Sequence, residues 1–239
     1  MPAADANEAP DAAFPSTAWS RVLGAGAAGP DWDALARTYW KPVAAWLRAR
    51  WSLTPEDAAD ATQDFFLFLL EGGLVAAADP EKGRFRALLK TALGRFAVDR
   101  WRRAAAARAG GGRRVLAFGI HEDGVPQPAA SGLTPEEAFD HAWRAAAIES
   151  ALEEVGRELA AEGRGITWNV FRDYFLAPGE PDYSALAATY ATTVANVSNH
   201  LKAAKARFRA RLRARVAETV ASSSELEAEW AWLLPKAAP

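Results

Sequence analysis

Apolar residues recur along most of the chain at the three- and four-residue spacing of an amphipathic helix. Segment 58–69 has apolar or small residues at i, i+3, i+4, i+7, i+8 and i+11, and segment 85–96 repeats that spacing. Alternating runs of Val, Ile and Thr, which would indicate strands, are missing. The sequence therefore predicts an all-α fold.

Residues that start and stop helices place the predicted boundaries. Thr54 and Thr134 each precede a Pro and then carboxylates, so each is predicted to be a helix N-cap, the second within a capping box. Gly72-Gly73 predicts a helix end, and Pro42 predicts a break or kink inside a helix. The predicted helices span about 16–23, 31–50, 55–71, 85–108, 135–162, 166–177, 183–191, 194–218 and 224–234.

A Gly- and Pro-containing stretch divides these helices into two groups. Segment 109–132 has three consecutive Gly residues, two Pro residues and few periodic apolar positions, so it is predicted to be a flexible linker between two helical modules. The predicted organisation is a disordered tail (1–15), a first module (16–108), the linker (109–132), a second module (133–220) and a C-terminal extension (221–239). In the extension, Trp230, Trp232, Leu233 and Leu234 either pack on the second module or receive a regulator.

Composition removes several classes of function. The chain has no Cys, which excludes disulfides and thiolate metal sites, and its three His residues are too widely spaced to predict a metal site. No apolar run approaches ~18 residues, and the N-terminus lacks the basic and apolar parts of a secretory signal. We therefore expect a cytoplasmic protein without a cofactor and without a membrane partner.

The net charge of −2 conceals two strongly basic segments. From Arg84 to Arg114 there are ten basic residues and one acid, and from Lys202 to Arg215 there are seven basic residues and no acid. Two basic segments within a nearly neutral chain indicate two surfaces for a polyanion.

Segment 186–201 has the pattern of a helix-turn-helix: a short helix, a three-residue turn and a longer helix. We expect Leu186, Tyr190, Val197 and Leu201 to hold the two helices together, with Thr193 as the N-cap of the second helix. The residues that the second helix then presents are Asn196, Asn199, His200 and Lys202. Asn pairs with adenine, and Lys with phosphate or guanine, in the major groove. An ordinary helical hairpin is the alternative.

Arginines alternate with other residues through the second basic segment. On a helix this spacing places Arg207, Arg211 and Arg215 on one face and Arg209 and Arg213 on another. Phosphate contact is predicted near Lys202–Arg209, whereas the end near Arg215 is expected to be a solvated flank.

Aromatic residues lie among the cations of the first basic segment. The basic side chains expected to face water are Arg86, Lys90, Arg95, Arg100, Arg102 and Arg103. Basic groups interleaved with aromatic rings suit single-stranded nucleic acid, because charge holds the backbone while rings stack on bases. Phe96 lies on the apolar series and is predicted to be core, whereas Trp101 is either core or a stacking surface.

An acidic face lies on the predicted helix 55–71, and its polar residues include Asp57, Asp60, Gln63 and Asp64. No other predicted helix supplies facing carboxylates or His, so acid–base or metal chemistry is not expected there. A Gly-rich phosphate loop is also missing, and we do not expect an enzyme. The face is either a solvated surface or a docking surface for a basic partner.

These segments, in this order, resemble a bacterial RNA polymerase sigma factor of the extracytoplasmic-function type across about residues 14–234. Residues 58–66 look like the region 2 helix that docks on the β′ clamp helices. Residues 85–103 resemble the following stretch, which melts and captures the −10 element. Residues 183–208 look like the region 4 helix-turn-helix for the −35 element.

The resemblance implies a promoter-specificity subunit and assigns roles to three sets of residues. Core polymerase would be contacted by Asp57, Asp60, Gln63 and Asp64; −10 DNA by Arg95, Arg100, Trp101, Arg102 and Arg103; and −35 DNA by Thr193, Asn196, Asn199, His200, Lys202 and Arg207. The implied partners are core RNA polymerase, through the β′ clamp helices and the β flap, promoter DNA, and an anti-sigma factor as a regulator. The chain departs from the family at Leu88, Arg95 and Ala191, where Trp, Asn and Gly are common.

Two other functions fit the same residues. One is a stand-alone helix-turn-helix regulator that binds duplex DNA without polymerase. The other is a helical adaptor whose basic faces bind an acidic protein. Binding to core polymerase, to duplex DNA or to a protein alone separates the three.

Overall fold

The structure is a computed structural model that describes residues 32–72, 85–109, 132–176, 182–220 and 222–234. These residues form eight α-helices and no strand, which confirms the predicted all-α class. The helices are α1 (Trp32–Trp51), α2 (Pro55–Glu71), α3 (Phe85–Ala109), α4 (Pro135–Ala161), α5 (Gly165–Phe175), α6 (Tyr183–Thr189), α7 (Val194–Ala217) and α8 (Ser223–Leu233). The predicted N-terminal tail, the helix at 16–23 and almost all of the 109–132 linker lie outside the described residues.

The helix starts follow the predicted capping chemistry. The Thr54 hydroxyl accepts a hydrogen bond from the backbone N–H of Asp57, with Pro55 opening α2. At α4, the Thr134 hydroxyl accepts from the backbone N–H of Glu137 while the Glu137 carboxylate accepts from the backbone N–H of Thr134, which completes the capping box. The predicted N-caps are therefore confirmed.

Helix α1 runs without interruption through Pro42, so of the predicted break or kink the break is wrong. Proline in a helix interior removes one backbone hydrogen bond and costs about 3 kcal/mol. Pro42 is buried, and its neighbours Tyr39, Val43 and Trp46 are buried with it. Burial of this apolar face offsets that cost, so the helix continues through Pro42.

The larger of two buried clusters draws on helices from both sides of segment 109–132. It contains the apolar faces of α1, α2 and α3, the first half of α4, the last turns of α7, and α8. At its centre the Tyr39 ring lies 5.3 Å from that of Phe85, edge to face, and 6.5 Å from that of Phe139. Helix α4 lies along α1, where Lys41 pairs with Glu149 and the Trp46 indole donates to Glu136.

The smaller cluster lies at the other end of α4 and α7. It is formed by the second half of α4, by α5 and α6, and by the first half of α7. Val155 and Leu159 of α4 are buried here against Phe171 of α5, Leu186 of α6 and Val197 of α7. Because α4 and α7 pass through both clusters, they hold the two ends of the molecule together.

Helix α8 packs on the larger cluster through Leu226, Glu229 and Leu233, all of them buried. Trp230 and Leu234 pack against the same cluster, so the described part of the C-terminal extension packs on helices of both predicted modules and not on the second module alone. None of the helices that the structure describes is both long enough and apolar enough to cross a bilayer.

Candidate nucleic-acid interface

Helix α6, the turn at 190–193 and the start of α7 follow one another in the order predicted for a helix-turn-helix. Leu186, Val197 and Leu201 are buried between the helices, and Tyr190 packs against them. The Thr193 hydroxyl accepts from the backbone N–H of Asn196, which caps α7 as predicted. The Tyr190 hydroxyl donates to the Asp173 carboxylate of α5, and this bond is the main cause of the lowered pKa of Asp173.

Ala191, in the turn, has a left-handed backbone with φ of +47°. The Thr192 N–H donates to the Ala187 carbonyl across this turn, at 2.9 Å. A left-handed conformation costs a non-glycine residue about 1–2 kcal/mol. The turn therefore has the geometry that favours Gly, although the sequence has Ala.

Four of the six residues predicted to address −35 DNA are engaged within the protein. Thr193 caps α7, the Asn196 side-chain amide donates to the Thr192 hydroxyl at 3.2 Å, His200 Nδ1 lies 2.9 Å from the Thr167 hydroxyl, and Arg207 pairs with Glu162 at 2.5 Å. Asn199 and Lys202 are exposed and have no hydrogen-bond or ion-pair partner within the described ranges. These two side chains are therefore the ones best placed to meet a base or a phosphate.

A ladder of ion pairs joins α7 to the antiparallel helix α4. Every fourth residue on each helix takes part: Arg207 with Glu162 at 2.5 Å, Arg211 with Glu158 at 2.6 Å, and Arg215 with Glu154. The shared face predicted for these three arginines is confirmed, but it contacts α4, so the solvated flank predicted near Arg215 is wrong. The hydrogen bond from Arg207 lowers the pKa of Glu162, and Glu162 raises the pKa of Arg207.

A second row of cations on α7 remains exposed. Lys202, Lys205 and Arg209 are spaced by three and four residues, so they lie on one face, over a length of about 10 Å. The Lys205 ammonium lies 5.1 Å from the centre of the Phe175 ring, and none of the three has an ion pair with another residue that the structure describes. We call Lys202, Lys205 and Arg209 the α7 strip.

Arg86 and Lys90, in the first half of α3, do not face water, so the prediction for these two residues is wrong. The Arg86 side chain is 12% exposed and pairs with Glu229 of α8 at 2.6 Å. The Lys90 ammonium lies 3.1 Å from both carboxylate oxygens of Asp140 on α4. Helices α4 and α8 pack on this side of α3. The periodicity of α3 alone does not show which other helices pack on it.

The second half of α3 carries an exposed cationic surface. Arg95, Arg102 and Arg103 are exposed and form no ion pair with any described residue. Trp101 is 41% exposed, whereas Phe96 is buried, as predicted. The exposure of Trp101 favours the stacking alternative over the core alternative. We call Arg95, Trp101, Arg102 and Arg103 the α3 surface.

A groove between α2 and α3 borders this surface and was missed by the sequence analysis. Its apolar side is formed by Phe68 and Val98, and its polar side by Arg95, Asp99 and Arg102, with Thr91, Gly72 and Gly94 completing the lining. An apolar wall beside guanidinium groups suits a flat base attached to a phosphate. Residues 91, 95, 98 and 102 are spaced so that they share one face of a helix, and this spacing could have predicted the side of the groove that α3 forms.

The acidic face of α2 is partly engaged within the chain. Asp64 pairs with Arg100 at 2.5 Å, and the Asp57 carboxylate accepts from the Thr54 hydroxyl, while Asp60 and Gln63 are exposed. None of the described residues forms a group of three or more His, Cys, Asp or Glu side chains able to hold a metal ion. Of these four predicted residues, Asp60 and Gln63 are the two whose side chains have no hydrogen-bond or ion-pair partner among the described residues.

Apolar side chains that the sequence pattern does not predict to be exposed lie beside this acidic face. The Trp40 and Phe66 rings stack with 5.9 Å between their centres and 3° between their planes. Leu67 and Leu70 are each close to half exposed. Exposed apolar patches rimmed by polar residues mark surfaces for other macromolecules. We call Asp60, Gln63, Leu67 and Leu70 the α2 surface.

Comparison of the chain with protein-family models, with curated proteins and with solved structures found no match in any of the three.

Proposed function

We propose that the chain is a sigma factor of the extracytoplasmic-function type, which directs core RNA polymerase to promoters. It would have a region 2-like module and a region 4-like helix-turn-helix module, joined by the 109–132 linker. One observation carries the proposal: cations stay open on the α3 surface and the α7 strip, while other arginines of the same helices are neutralised by the protein's own carboxylates. Two separate open cationic surfaces suit one polyanion that is contacted at two places.

In this proposal each of the three surfaces makes a different contact. The α2 surface supplies a carboxylate, an amide and apolar side chains, which suits docking on a basic helix of the polymerase. The α3 surface supplies guanidinium groups and an exposed indole, which suits the separated strand at the −10 element. The α7 strip, with Asn199, suits duplex DNA at the −35 element, where a phosphate contact fixes register and an amide reads a base.

A subunit of this kind would use part of its free energy of DNA binding to melt the duplex. Turning one base out of the stack costs a few kcal/mol, which pocket and backbone contacts offset. The groove beside Phe68 and Arg95 lies next to the α3 surface, where an unstacked base would be received. Phosphate contacts make the overall affinity fall steeply as salt rises.

The direct test of polymerase docking is co-purification of the full chain with core RNA polymerase. Asp60→Lys should weaken the complex at least tenfold, because it places a cation against a basic partner. Glu153→Lys, on the exposed side of α4 with no ion-pair partner among the described residues, is the matched control and should bind normally. Failure of the wild-type chain to bind core polymerase would overturn the proposal.

The second candidate, a stand-alone regulator, is favoured by one feature: Asn199 and the α7 strip are already exposed in the chain without a partner. Tight, sequence-specific binding of the isolated protein to duplex DNA, together with no binding to core polymerase, would support that candidate instead.

A further inference from the structure

The His200 side chain of α7 contacts a buried threonine of α5. Its Nδ1 lies 2.9 Å from the hydroxyl of Thr167, which is 1% exposed. His200 itself is partly exposed, and its Nε2 has no hydrogen-bond partner among the residues that the structure describes. Because the two nitrogens lie on different sides of the ring, the contact with Thr167 occupies Nδ1 and leaves Nε2 available to another molecule.

Thr167 is fixed in place by the core that also positions α7. It lies in the first turn of α5, and Val170 and Phe171 of the same helix belong to the smaller cluster. Val197 and Leu201 of α7 belong to that cluster too, and His200 directly precedes Leu201. The hydroxyl and the imidazole are therefore held at a defined distance by packed helices and not by a loop.

The burial of Thr167 determines the direction of this hydrogen bond. Its hydroxyl carries one hydrogen, and His200 Nδ1 is the only hydrogen-bond partner of that hydroxyl within the described ranges. The backbone N–H of Thr167 donates to the Arg164 carbonyl, but no described carbonyl accepts from the hydroxyl. A buried O–H without an acceptor is unfavourable, so the hydroxyl donates to Nδ1. When Nδ1 of a neutral imidazole accepts, the ring hydrogen is on Nε2.

We propose that Thr167 is a positioning residue for DNA reading, which fixes His200 as the tautomer that offers Nε2–H to a hydrogen-bond acceptor on a base edge. This inference rests on the proposed contact of α7 with duplex DNA, which the sigma factor and the stand-alone regulator share. In the major groove, guanine offers the acceptors O6 and N7 and thymine offers O4, whereas cytosine offers only an amino donor. Cytosine is therefore excluded from the strand position that His200 meets.

His200 and its neighbour Asn199 then differ in the bases that they read. The exposed amide of Asn199 both donates and accepts, which suits adenine. The Nε2–H of His200 only donates. Asn196, one turn before His200, already uses its amide on the Thr192 hydroxyl. Two adjacent side chains of α7 thus have different base preferences, and a threonine of another helix determines one of them.

The tautomer is measured on the full chain, without DNA, by nitrogen-15 NMR of the imidazole rings, with His200→Gln to identify the signals. Thr167→Val keeps the branched shape but removes the hydroxyl, whereas Thr167→Ser keeps the hydroxyl. We expect the hydrogen on Nε2 in the wild type and in Thr167→Ser, and a shifted Nδ1 signal in Thr167→Val because its donor is gone. Hydrogen on Nδ1 in the wild type, or an unchanged Nδ1 signal in Thr167→Val, overturns the inference.

Base reading is measured by selection of randomised duplexes with the full chain, alone and with core polymerase. His200→Ala should reduce discrimination at one base pair by about two- to tenfold, as expected for the loss of one hydrogen bond. Thr167→Val should reduce discrimination at the same base pair, and Thr167→Ser should restore it. The double variant of His200→Ala with Thr167→Val should lose no more than His200→Ala alone, because Thr167 acts only through His200.

A matched control separates positioning from a general structural effect. Thr189→Val removes a hydroxyl that donates to the Ala185 carbonyl within α6, and it should leave discrimination unchanged. Circular dichroism checks the helix content of each variant. If Thr167→Val does not fold, His200→Ala at its partly exposed site still tests base reading. An equal loss at all base pairs in folded Thr167→Val would show a structural role and overturn the inference.

The outcomes also distinguish failure of this inference from failure of the proposed function. Unchanged discrimination in His200→Ala, or a preference for cytosine at the strand position it affects, overturns the inference alone. Sequence-specific binding that depends on His200 and Thr167, by a chain that does not bind core polymerase, supports the inference and overturns the proposed sigma factor. Absence of sequence-specific duplex binding, both alone and with core polymerase, overturns both.

Discussion

Asp64 of α2 and Arg100 of α3 form an ion pair, with 2.5 Å between Oδ2 and Nη1. A carboxylate of the proposed polymerase-docking face thus neutralises an arginine of the proposed −10 set. The pair is partly exposed, and such pairs contribute about 0.2–1 kcal/mol. If a partner binds Asp64 and DNA binds Arg100, as proposed, this ion pair would couple the two binding events by a factor of about five at most.

We predict that Asp64→Asn raises the affinity of the isolated protein for single-stranded DNA by about two- to fivefold, because it removes a carboxylate that competes with phosphate for Arg100. Fluorescence anisotropy with a labelled oligonucleotide measures the change. Asp60→Asn removes the same charge from the same face and has no ion-pair partner among the described residues. Equal effects of the two substitutions would show that only overall charge matters.

The salt dependence of duplex binding should distinguish the α7 strip, which is proposed to contact phosphates, from the arginines of α7 that form ion pairs with α4. Lys202→Ala and Arg209→Ala should each reduce the slope of log affinity against log salt by about one, since each removes one phosphate contact. Arg211→Ala should leave the slope nearly unchanged, because Glu158 already compensates that arginine. A slope change for Arg211→Ala as large as that for Lys202→Ala would indicate that the arginines paired with α4 also contact DNA.

Base specificity should depend on Asn199 more than on Asn196. Asn199→Ala should cost about 1–3 kcal/mol of discrimination at one base pair, as expected for loss of a bidentate amide contact. Asn196→Ala should cost less, because its amide donates to Thr192 within the protein. Selection from a randomised duplex library measures both, and a larger loss for Asn196→Ala would reverse the assignment.

The turn residue Ala191 should be replaceable by Gly with a gain in stability. Its φ of +47° strains Ala but not Gly, so we expect Ala191→Gly to raise the free energy of unfolding by about 1 kcal/mol. Ala188→Gly, on the exposed side of α6, should lower it by about 1 kcal/mol, through helix propensity. Urea denaturation tests the pair, and the same sign for both would contradict the strain at Ala191.

Acid should weaken the start of α4. Hydrogen bonds from the Thr134 backbone N–H and hydroxyl lower the pKa of Glu137. A carboxyl with a lowered pKa in the folded state stabilises the protein above its ordinary pKa, near 4.3, and this contribution is lost as the pH falls through the lowered value. Thr134→Ala removes the hydroxyl donor but keeps the backbone N–H, so it should return the Glu137 pKa only part of the way to its ordinary value in a carbon-detected NMR titration. An unchanged value would refute the hydroxyl as a cause.

For the described residues, the sequence predicted the helices and their starts, apart from the break at Pro42, because spacing and caps are local properties. Thr54, Thr134 and Thr193 cap the predicted helices, and Val197 and Leu201 are buried where the pattern placed them. Local periodicity shows which residues share a face, but it does not show what covers that face.

The errors arose from contacts between distant parts of the chain. Arg86 was expected to face water, but its partner Glu229 lies 143 residues away. The common face of Arg207 and Arg211 was predicted correctly, yet its acidic partners on α4 became evident only once the two helices were paired. Charge patterns in a sequence show where the cations are. Only the tertiary structure shows which of them remain exposed and which pair with carboxylates of the same chain.

The most direct measurement of the central claim is in vitro transcription with purified core RNA polymerase on genomic DNA. We expect the wild-type chain to produce transcripts from discrete start sites that core polymerase alone does not use, and Asp60→Lys to abolish them. Identical transcripts with and without the chain would contradict the claim that it is a promoter-specificity subunit.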